Sequence, residues 1–282
     1  MIRIANAPVS YGAFELTVGV LPNVPGPEWV LNAIAEAGYE GTELGPLGYL
    51  GAGRILRERL ERRGLRLAGA FVQVRFGEDE TLGELERTLD VLGGWDAKPV
   101  LADAGPPGGE PDWEEIQRAA ELARSRGFEP TFHHHMGTRV QTPAEIERLL
   151  ERTDVGLLLD TGHLVAAGGD PVAALGTWGE RVNHVHLKDV RLDILRGAAS
   201  WDEAWAAGVF SELGAGDIDL DGFLGHLHGY SGWLVVEQDW IPKPGEDAAT
   251  HIHAQARNRR WLAQHERRLL STTAERSQCK NA

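Results

Sequence analysis

A single (β/α)8 barrel of the α/β class is the fold this 282-residue sequence predicts, and three observations carry the prediction. Short apolar runs alternate with longer amphipathic ones about eight times, the rhythm of repeated strand–helix units. The length suits one such barrel, and no linker divides the chain. From the middle onward, each predicted strand closes on a carboxylate or an imidazole, where a barrel of this kind carries its site. The competing architecture is a doubly wound open sheet. No Gly-x-Gly-x-x-Gly follows the first strand and no Walker phosphate loop occurs anywhere, so the usual marks of that alternative are missing.

The elements follow in order. Arg3 to Val9 reads as the first strand, followed by a Gly- and Pro-rich loop through Pro25. Glu28 to Ala37 has helical spacing and is stopped by Gly38. Gly41 to Leu44 is a short second strand, Ile55 to Arg63 the second helix, Leu67 to Val74 the third strand and Glu80 to Leu92 the third helix. Pro99 to Ala102, Trp113 to Arg126 and Pro130 to His135 continue the alternation. Thr142, Pro143 and Glu145 start a helix with a cap, a proline at its first position and an acid at its third. Val155 to Asp160, Pro171 to Trp178 and Val182 to Leu187 come next. Residues 189 to 213 form a longer insertion, with Trp201 and Trp205 suited to a pocket cover or a subunit contact. A short helix near Leu220 to His228, a strand from Trp233 to Glu237 and a helix from Ala248 to His265 close the domain. Residues 1–265 are expected to form a single barrel domain and 266–282 a polar, loosely ordered tail.

Composition narrows the class. Apolar residues make up 42% of the chain, enough for a sizeable core, without the 18-residue apolar run that a membrane span needs. The N-terminus reads as a strand, not a leader. The single Cys279 lies in the polar tail and has no internal partner, which fits a cytoplasmic protein. A formal charge of −14 opposes a phosphate-backbone partner and suits divalent cations. A small-molecule partner is expected, with neither nucleic acid nor membrane; a homo-oligomer stays open.

The candidate site is read from the strand ends. Three consecutive histidines, His133, His134 and His135, sit in mid-chain. Side chains alternate along a strand, so His133 and His135 would share one face and His134 the other. The next three strands end at Asp160, His186 and Glu237, and an acid following apolar residues is costly to bury unless paired, protonated or metal-bound. Four such residues at one level compensate one another around a cation, and Asp, Glu and His together suit Mn2+, Co2+, Fe2+ or Zn2+. Each has a plainer reading. Asp160 could cap the following helix, His186 could be a satisfied core histidine, and Lys188 and Asp189 could form a surface ion pair of little worth. Glu43 could be another cap and His163 a turn residue.

At these positions the sequence resembles the xylose-isomerase-like barrel superfamily of sugar isomerases, epimerases and dehydratases, and within it the inosose dehydratases of inositol catabolism. The likeness runs from Ile4 to about Pro244 and is carried by His133-His134-His135-Met136-Gly137-Thr138, Leu159-Asp160-Thr161-Gly162-His163, His184-Val185-His186-Leu187-Lys188-Asp189, Val236-Glu237-Gln238-Asp239 and Phe210 to Asp219. The superfamily's metal ligands, commonly Glu, Asp, His and Glu, map in their last three places onto Asp160, His186 and Glu237. His133 stands where the first Glu would be, as in the dehydratase branch, with His135 the alternative ligand. The substrate-binding histidine maps onto His163. The resemblance implies metal-assisted elimination of water from a cyclic polyhydroxy ketone, 2-keto-myo-inositol, giving a dione through its enol. It further implies dependence on Mn2+ or Co2+, with Zn2+ or Fe2+ as alternatives, and an association with glutathione. Glu237, His135, His163 and Lys188 are the candidates for base and leaving-group acid, in no fixed order; Asn6, Glu43, Gln73 and Asp103 are expected to contact hydroxyls. His133 is expected to bind the metal, His135 to face the substrate and His134 to pack away from the axis.

The exchange of Glu for His has a physical consequence. Two carboxylates with two neutral imidazoles cancel a divalent charge, whereas three carboxylates leave an excess, so the metal is expected to be the stronger Lewis acid. A ketose epimerase on the same scaffold needs a base on each side of a stereocentre, and the missing strand-five Glu opposes it. An abasic-site endonuclease sharing the barrel is opposed by the net charge. A non-catalytic sugar-binding barrel is the remaining alternative.

Overall fold

In a computed structural model, which describes residues 1–77, 82–227, 229–243 and 245–279, with side chains of the final helix described only as far as His265, eight parallel strands close into a barrel. The strands are β1 (Ile2–Asn6), β2 (Gly41–Glu43), β3 (Arg66–Val74), β4 (Lys98–Asp103), β5 (Thr131–His133), β6 (Gly156–Asp160), β7 (Val182–Leu187) and, after a two-stranded excursion, β10 (Gly232–Val236). Their order around the barrel is β1-β10-β7-β6-β5-β4-β3-β2. The alternation seen in the sequence thus corresponds to the closed barrel, and the open sheet is excluded.

Helices α1 (Pro27–Glu36), α2 (Gly53–Glu61), α3 (Gly83–Leu92), α4 (Trp113–Ser125), α5 (Pro143–Arg152), α6 (Thr161–Ala166), α7 (Pro171–Trp178), α10 (Leu220–His226) and α11 (Ala249–Cys279) follow the strands. Thr142 and Glu145 form a reciprocal capping box at the start of α5: Thr142 Oγ1 accepts from the Glu145 amide and Glu145 Oε2 from the Thr142 amide. Outward-facing strand residues such as Leu101, Phe132, Leu157, Val185 and Leu234 belong to one continuous core with the helices. A separate inner cluster holds Ala5, Ala7, Ala68, Trp233 and Val235. The Trp233 ring fills the floor, so close to Gly41 that a Cβ there would lie 2.7 Å from the indole. Burial of a large aliphatic side chain is worth about 1.5–3 kcal/mol. The outer layer, rich in Leu, Val and Phe, therefore supplies most of the hydrophobic stabilisation, and the alanine-lined interior leaves room for polar groups near the mouth.

Several boundaries differ from expectation. β1 stops at Asn6, and Pro8–Tyr11 forms a 3-10 turn because proline has no N–H for the ladder. β5 ends at His133, and the chain turns so that the His135 amide donates to the Val140 carbonyl. The predicted helix from Glu80 is seen from Gly83, its first residues lying outside the described ones, as does His228 at the end of α10. The insertion after β7 contains a hairpin of β8 (Asp189–Val190) and β9 (Phe210–Ser211) around the short helices α8 (Leu192–Gly197) and α9 (Trp201–Ala206). The backbone of α11 runs on to Cys279 where a loose tail was expected; nothing between His265 and Cys279 is a glycine or proline that would break it. Among the described residues no helix is long and apolar enough to cross a membrane.

Candidate active site

Strand parity decides which polar residues reach the interior. His133, Asp160, His184, His186 and Glu237 alternate with outward residues Phe132, Leu159, Val185, Leu187 and Val236, all of which join the helix-facing core. The inward set gathers at the C-terminal mouth. Asp160 Oδ2 lies 3.4 Å from His133 Nε2, 3.6 Å from His186 Nδ1 and 3.2 Å from Lys188 Nζ. His186 Nδ1 and Glu237 Oε2 are 2.9 Å apart. The other nitrogen of His186, Nε2, faces Glu43 Oε1 at 3.1 Å, and His184 Nε2 reaches the same oxygen at 2.9 Å.

Lys188 is not the surface partner of Asp189. Its side chain is buried, with Nζ 2.8 Å from Asp239 Oδ2, 3.0 Å from Glu237 Oε2 and 3.2 Å from His163 Nε2. Gly162 makes this possible, because a Cβ there would lie 2.8 Å from the Lys188 Cβ and 2.9 Å from the Phe210 ring. Asp189 instead accepts the backbone N–H groups of Val190, Gly214, Gly216 and Ile218, pinning the loop after β9. Thr161 and Lys188 exchange two hydrogen bonds that tie the end of β6 to that of β7.

Electrostatics sort the ionisable groups. Burial pulls Lys188 down, but Asp160, Asp239 and Glu237 outweigh it and hold the ammonium well above its ordinary value. Burial pushes Asp160 up, yet the Lys188 ammonium above all, with the imidazoles close to it, keeps it well below the usual carboxylate range. Glu43 is likewise held low, its burial overcome by His186 and His184. Burial, with neighbouring cations, depresses His135 and His163 well below the usual imidazole value, so both are neutral at pH 7.

The strand-five histidines take three different places. His133 points inward. His134 points outward, and its Nε2 accepts the backbone N–H of Asp160 at 3.2 Å. His135 lies beyond the strand, its Nδ1 2.7 Å from the Met136 carbonyl and its ring 3.9 Å from that of His163.

The mouth opens into a pocket whose apolar wall includes Phe14, Phe71 and Trp205 and whose polar wall includes Glu43, His133, His135, His186, Lys188, Glu237 and Asp239. Trp205 is therefore a pocket cover, with its ring 5.7 Å from that of Phe14. His163 sits behind His135, outside the lining. Three residues expected to meet hydroxyls are placed elsewhere. Asn6 faces outward, donating to the Val236 carbonyl and to Gln255 of α11. Asp103 also faces outward and pairs with Arg139. Gln73 is exposed and does not line the pocket. The lining residues missed by the sequence reading include Glu15, Phe14, Phe71 and Asp239. Asp239 was findable, lying two residues beyond Glu237 in the same extended run; Glu15 sits in a loop with no periodic signal.

Comparison with known proteins agrees with this geometry. The profile described as Xylose isomerase-like TIM barrel matches residues 31–264. An inosose dehydratase of Geobacillus thermodenitrificans is 35% identical over 247 residues, covering 76% of this chain and 83% of its own. The chain belongs to the xylose isomerase-like TIM barrel family. Within that family its curated relatives place it among the inosose dehydratases, hydro-lyases of inositol catabolism. A rhizopine catabolism protein, MocC, of Rhizobium meliloti is 36% identical over 274 residues, with 86% of this chain and 82% of the relative covered. Among solved structures, the IolI protein with a bound zinc atom superposes with a TM-score of 0.64 at 17% identity over 91% of this chain and 96% of its own, a likeness of fold.

In this family member the donor set fits a divalent metal ion. His133, Asp160 and His186 each offer a ligand atom within 4.8 Å of the others, all three buried. Asp160 Oδ2 and His186 Nδ1 have no hydrogen-bond partner although they are buried, which leaves their lone pairs for a cation. Glu237 stands beside this group, its Oε2 2.9 Å from His186 Nδ1. The mixed nitrogen and oxygen set suits a borderline or hard divalent ion. A second group of possible ligands, Glu43, His184 and His186, lies immediately below.

Proposed function

We propose that this protein is a metal-dependent dehydratase that removes water from 2-keto-myo-inositol or a related polyhydroxy ketone. The observation that carries the reading is the set of His133, Asp160, His186 and Glu237 at the mouth of a pocket that also contains a neutral His135 and a protonated Lys188. His133, Asp160, His186 and Glu237 would hold the ion, Mn2+ or Co2+ being the choice that the family likeness supports. When bound, the ion supplies Lewis acidity toward a ketone oxygen.

The protein's own groups then divide the proton work. His135 has Nδ1 engaged by the Met136 carbonyl, so its neutral ring keeps the Nε2 lone pair as a base for the α-proton. Lys188, held as an ammonium by Asp160, Glu237 and Asp239, is placed to donate a proton to the departing hydroxyl. His163 would position both: its ring is 3.9 Å from that of His135, tilted by 42°, and its Nε2 is 3.2 Å from the Lys188 nitrogen. Phe14, Phe71 and Trp205 give the C–H face of a ring a dry surface and keep water from the enol. Glutathione remains an expectation of the resemblance alone.

The deciding experiment is a dehydration assay on 2-keto-myo-inositol with Mn2+ or Co2+, followed by dione absorbance and run alongside ketohexoses. Growth of the dione signal supports the assignment. A flat trace with both metals present rejects this substrate, and epimerised ketohexose without loss of water would favour an epimerase.

A further inference from the structure

Glu43 ends one of the two shortest strands of the barrel, yet it is among the most thoroughly enclosed acids in the protein, 3% exposed. The β2–β3 register shifts between Thr42 and Glu43, so that Glu43 stands opposite Gly69. A Cβ at Gly69 would lie 3.1 Å from Glu43 Oε1, closer than a neighbouring side chain ordinarily sits, so the glycine opens the space into which the carboxylate turns. A second register shift, between Leu157 and Leu158 on the β6–β7 side, accompanies the inward turn of His184 and His186. One oxygen of Glu43 meets the Nε2 atoms of both rings, at 2.9 and 3.1 Å.

A carboxylate only accepts hydrogen bonds, so each imidazole must present an N–H at Nε2. In a neutral ring that choice leaves Nδ1 as the lone-pair nitrogen. For His186, Nδ1 is the atom directed at Asp160 and Glu237 and lacking any hydrogen bond. For His184, which is 0% exposed, the bond to Glu43 steadies the carboxylate from beneath.

We propose that Glu43 is a positioning residue for the metal centre: by accepting from His186 Nε2 it selects the tautomer and the ring angle that offer Nδ1 to the ion, with His184 clamping Glu43 in place. This role rests on the reading of His186 as a metal ligand. It assigns Glu43 to holding a ligand rather than to gripping a substrate hydroxyl. Supporting partners of ligating histidines typically carry a 10–100-fold share of metal affinity.

The test uses the full-length protein freed of metal and titrated with Co2+ by calorimetry and by visible absorption. Glu43→Ala is expected to lose about 10–100-fold in affinity and to shift the Co2+ spectrum. Glu43→Gln, whose amide oxygen still has two lone pairs, is expected to recover most of both. Unchanged affinity and spectrum in a folded Glu43→Ala protein would overturn the role. Should that variant fail to fold, the unaltered protein decides: with 15N-histidine labelling and Zn2+ bound, His186 is expected to show a protonated Nε2 and a ligated Nδ1, and the reverse pattern refutes the proposal. Failure of the unaltered protein to take up any divalent ion would instead remove the metal reading itself, and the positioning role with it.

Discussion

Asp160 divides its two oxygens between structure and chemistry: Oδ1 accepts the backbone N–H of His163 at 2.8 Å, while the buried Oδ2 accepts no hydrogen bond and faces His133 and His186. The helix cap is thus observed at Oδ1, and Oδ2 stays available for the proposed metal. Asparagine caps as well as aspartate. Asp160→Asn is expected to keep the cap, to melt lower without metal because Lys188 loses one of its three acids, and to lose more than about 100-fold in metal affinity, a larger loss than supporting residues produce. Parallel melting curves and metal titrations measure the two.

His133 stands where the resemblance leads one to expect a carboxylate. Lys188 and Asp239 lie 2.8 Å apart, and a proposed donor set of two acids with two imidazoles that bind as neutral ligands would balance a divalent charge. His133→Glu adds a third acid and should weaken the ion as a Lewis acid. The expected outcome is retained metal with lower turnover; full turnover at equal occupancy would dispose of the charge argument.

The neutral His135 is the proposed base. His135→Asn should lower kcat by about 10²–10⁴-fold and leave metal content unchanged, since His133 rather than His135 lies with Asp160 and His186. Equal loss of metal would show that the ligand had been assigned to the wrong histidine. Metal content per chain and steady-state kinetics on the same preparation distinguish the two.

Lys188 compensates three buried acids at once. Removing one partner from a buried ionic group costs about 3–5 kcal/mol. Lys188→Met is therefore expected to destabilise the metal-free protein by about that amount, and a saturating divalent ion should restore part of the loss by neutralising the same acids. Urea unfolding with and without metal checks both halves.

Away from the site, His251 stacks on Trp240 with ring centroids 3.6 Å apart, and burial pushes its pKa down to about 4 although Glu246 and Glu212 pull the other way. An unfolded histidine titrates near 6.5. Between these values the unfolded chain binds the proton and the folded one does not, so stability falls as pH drops from about 6.5 to about 4 and this contribution is flat outside that window. The upper limit is about 3 kcal/mol, reduced because the ring is partly exposed. His251→Gln should flatten the dependence, which unfolding at pH 7, 5.5 and 4.5 would reveal.

The periodicity of the chain determined the barrel, because strand and helix periods and their glycine stops are local properties. It also pointed to the four strand ends proposed as the donor set, because an acid or imidazole after an apolar run is conspicuous in one dimension. What only the tertiary structure decided depends on parity and on contacts between distant segments. Asn6 and Asp103 sit near strand ends as Asp160 does, but they face the helices, where Gln255 and Arg139 engage them. Lys188, adjacent to Asp189 in sequence, turns inward because Gly162, 26 residues earlier, leaves it room. Glu43 looked like a cap or a hydroxyl contact. Two register shifts and a glycine on a neighbouring strand set it under His186, and no local pattern encodes that meeting.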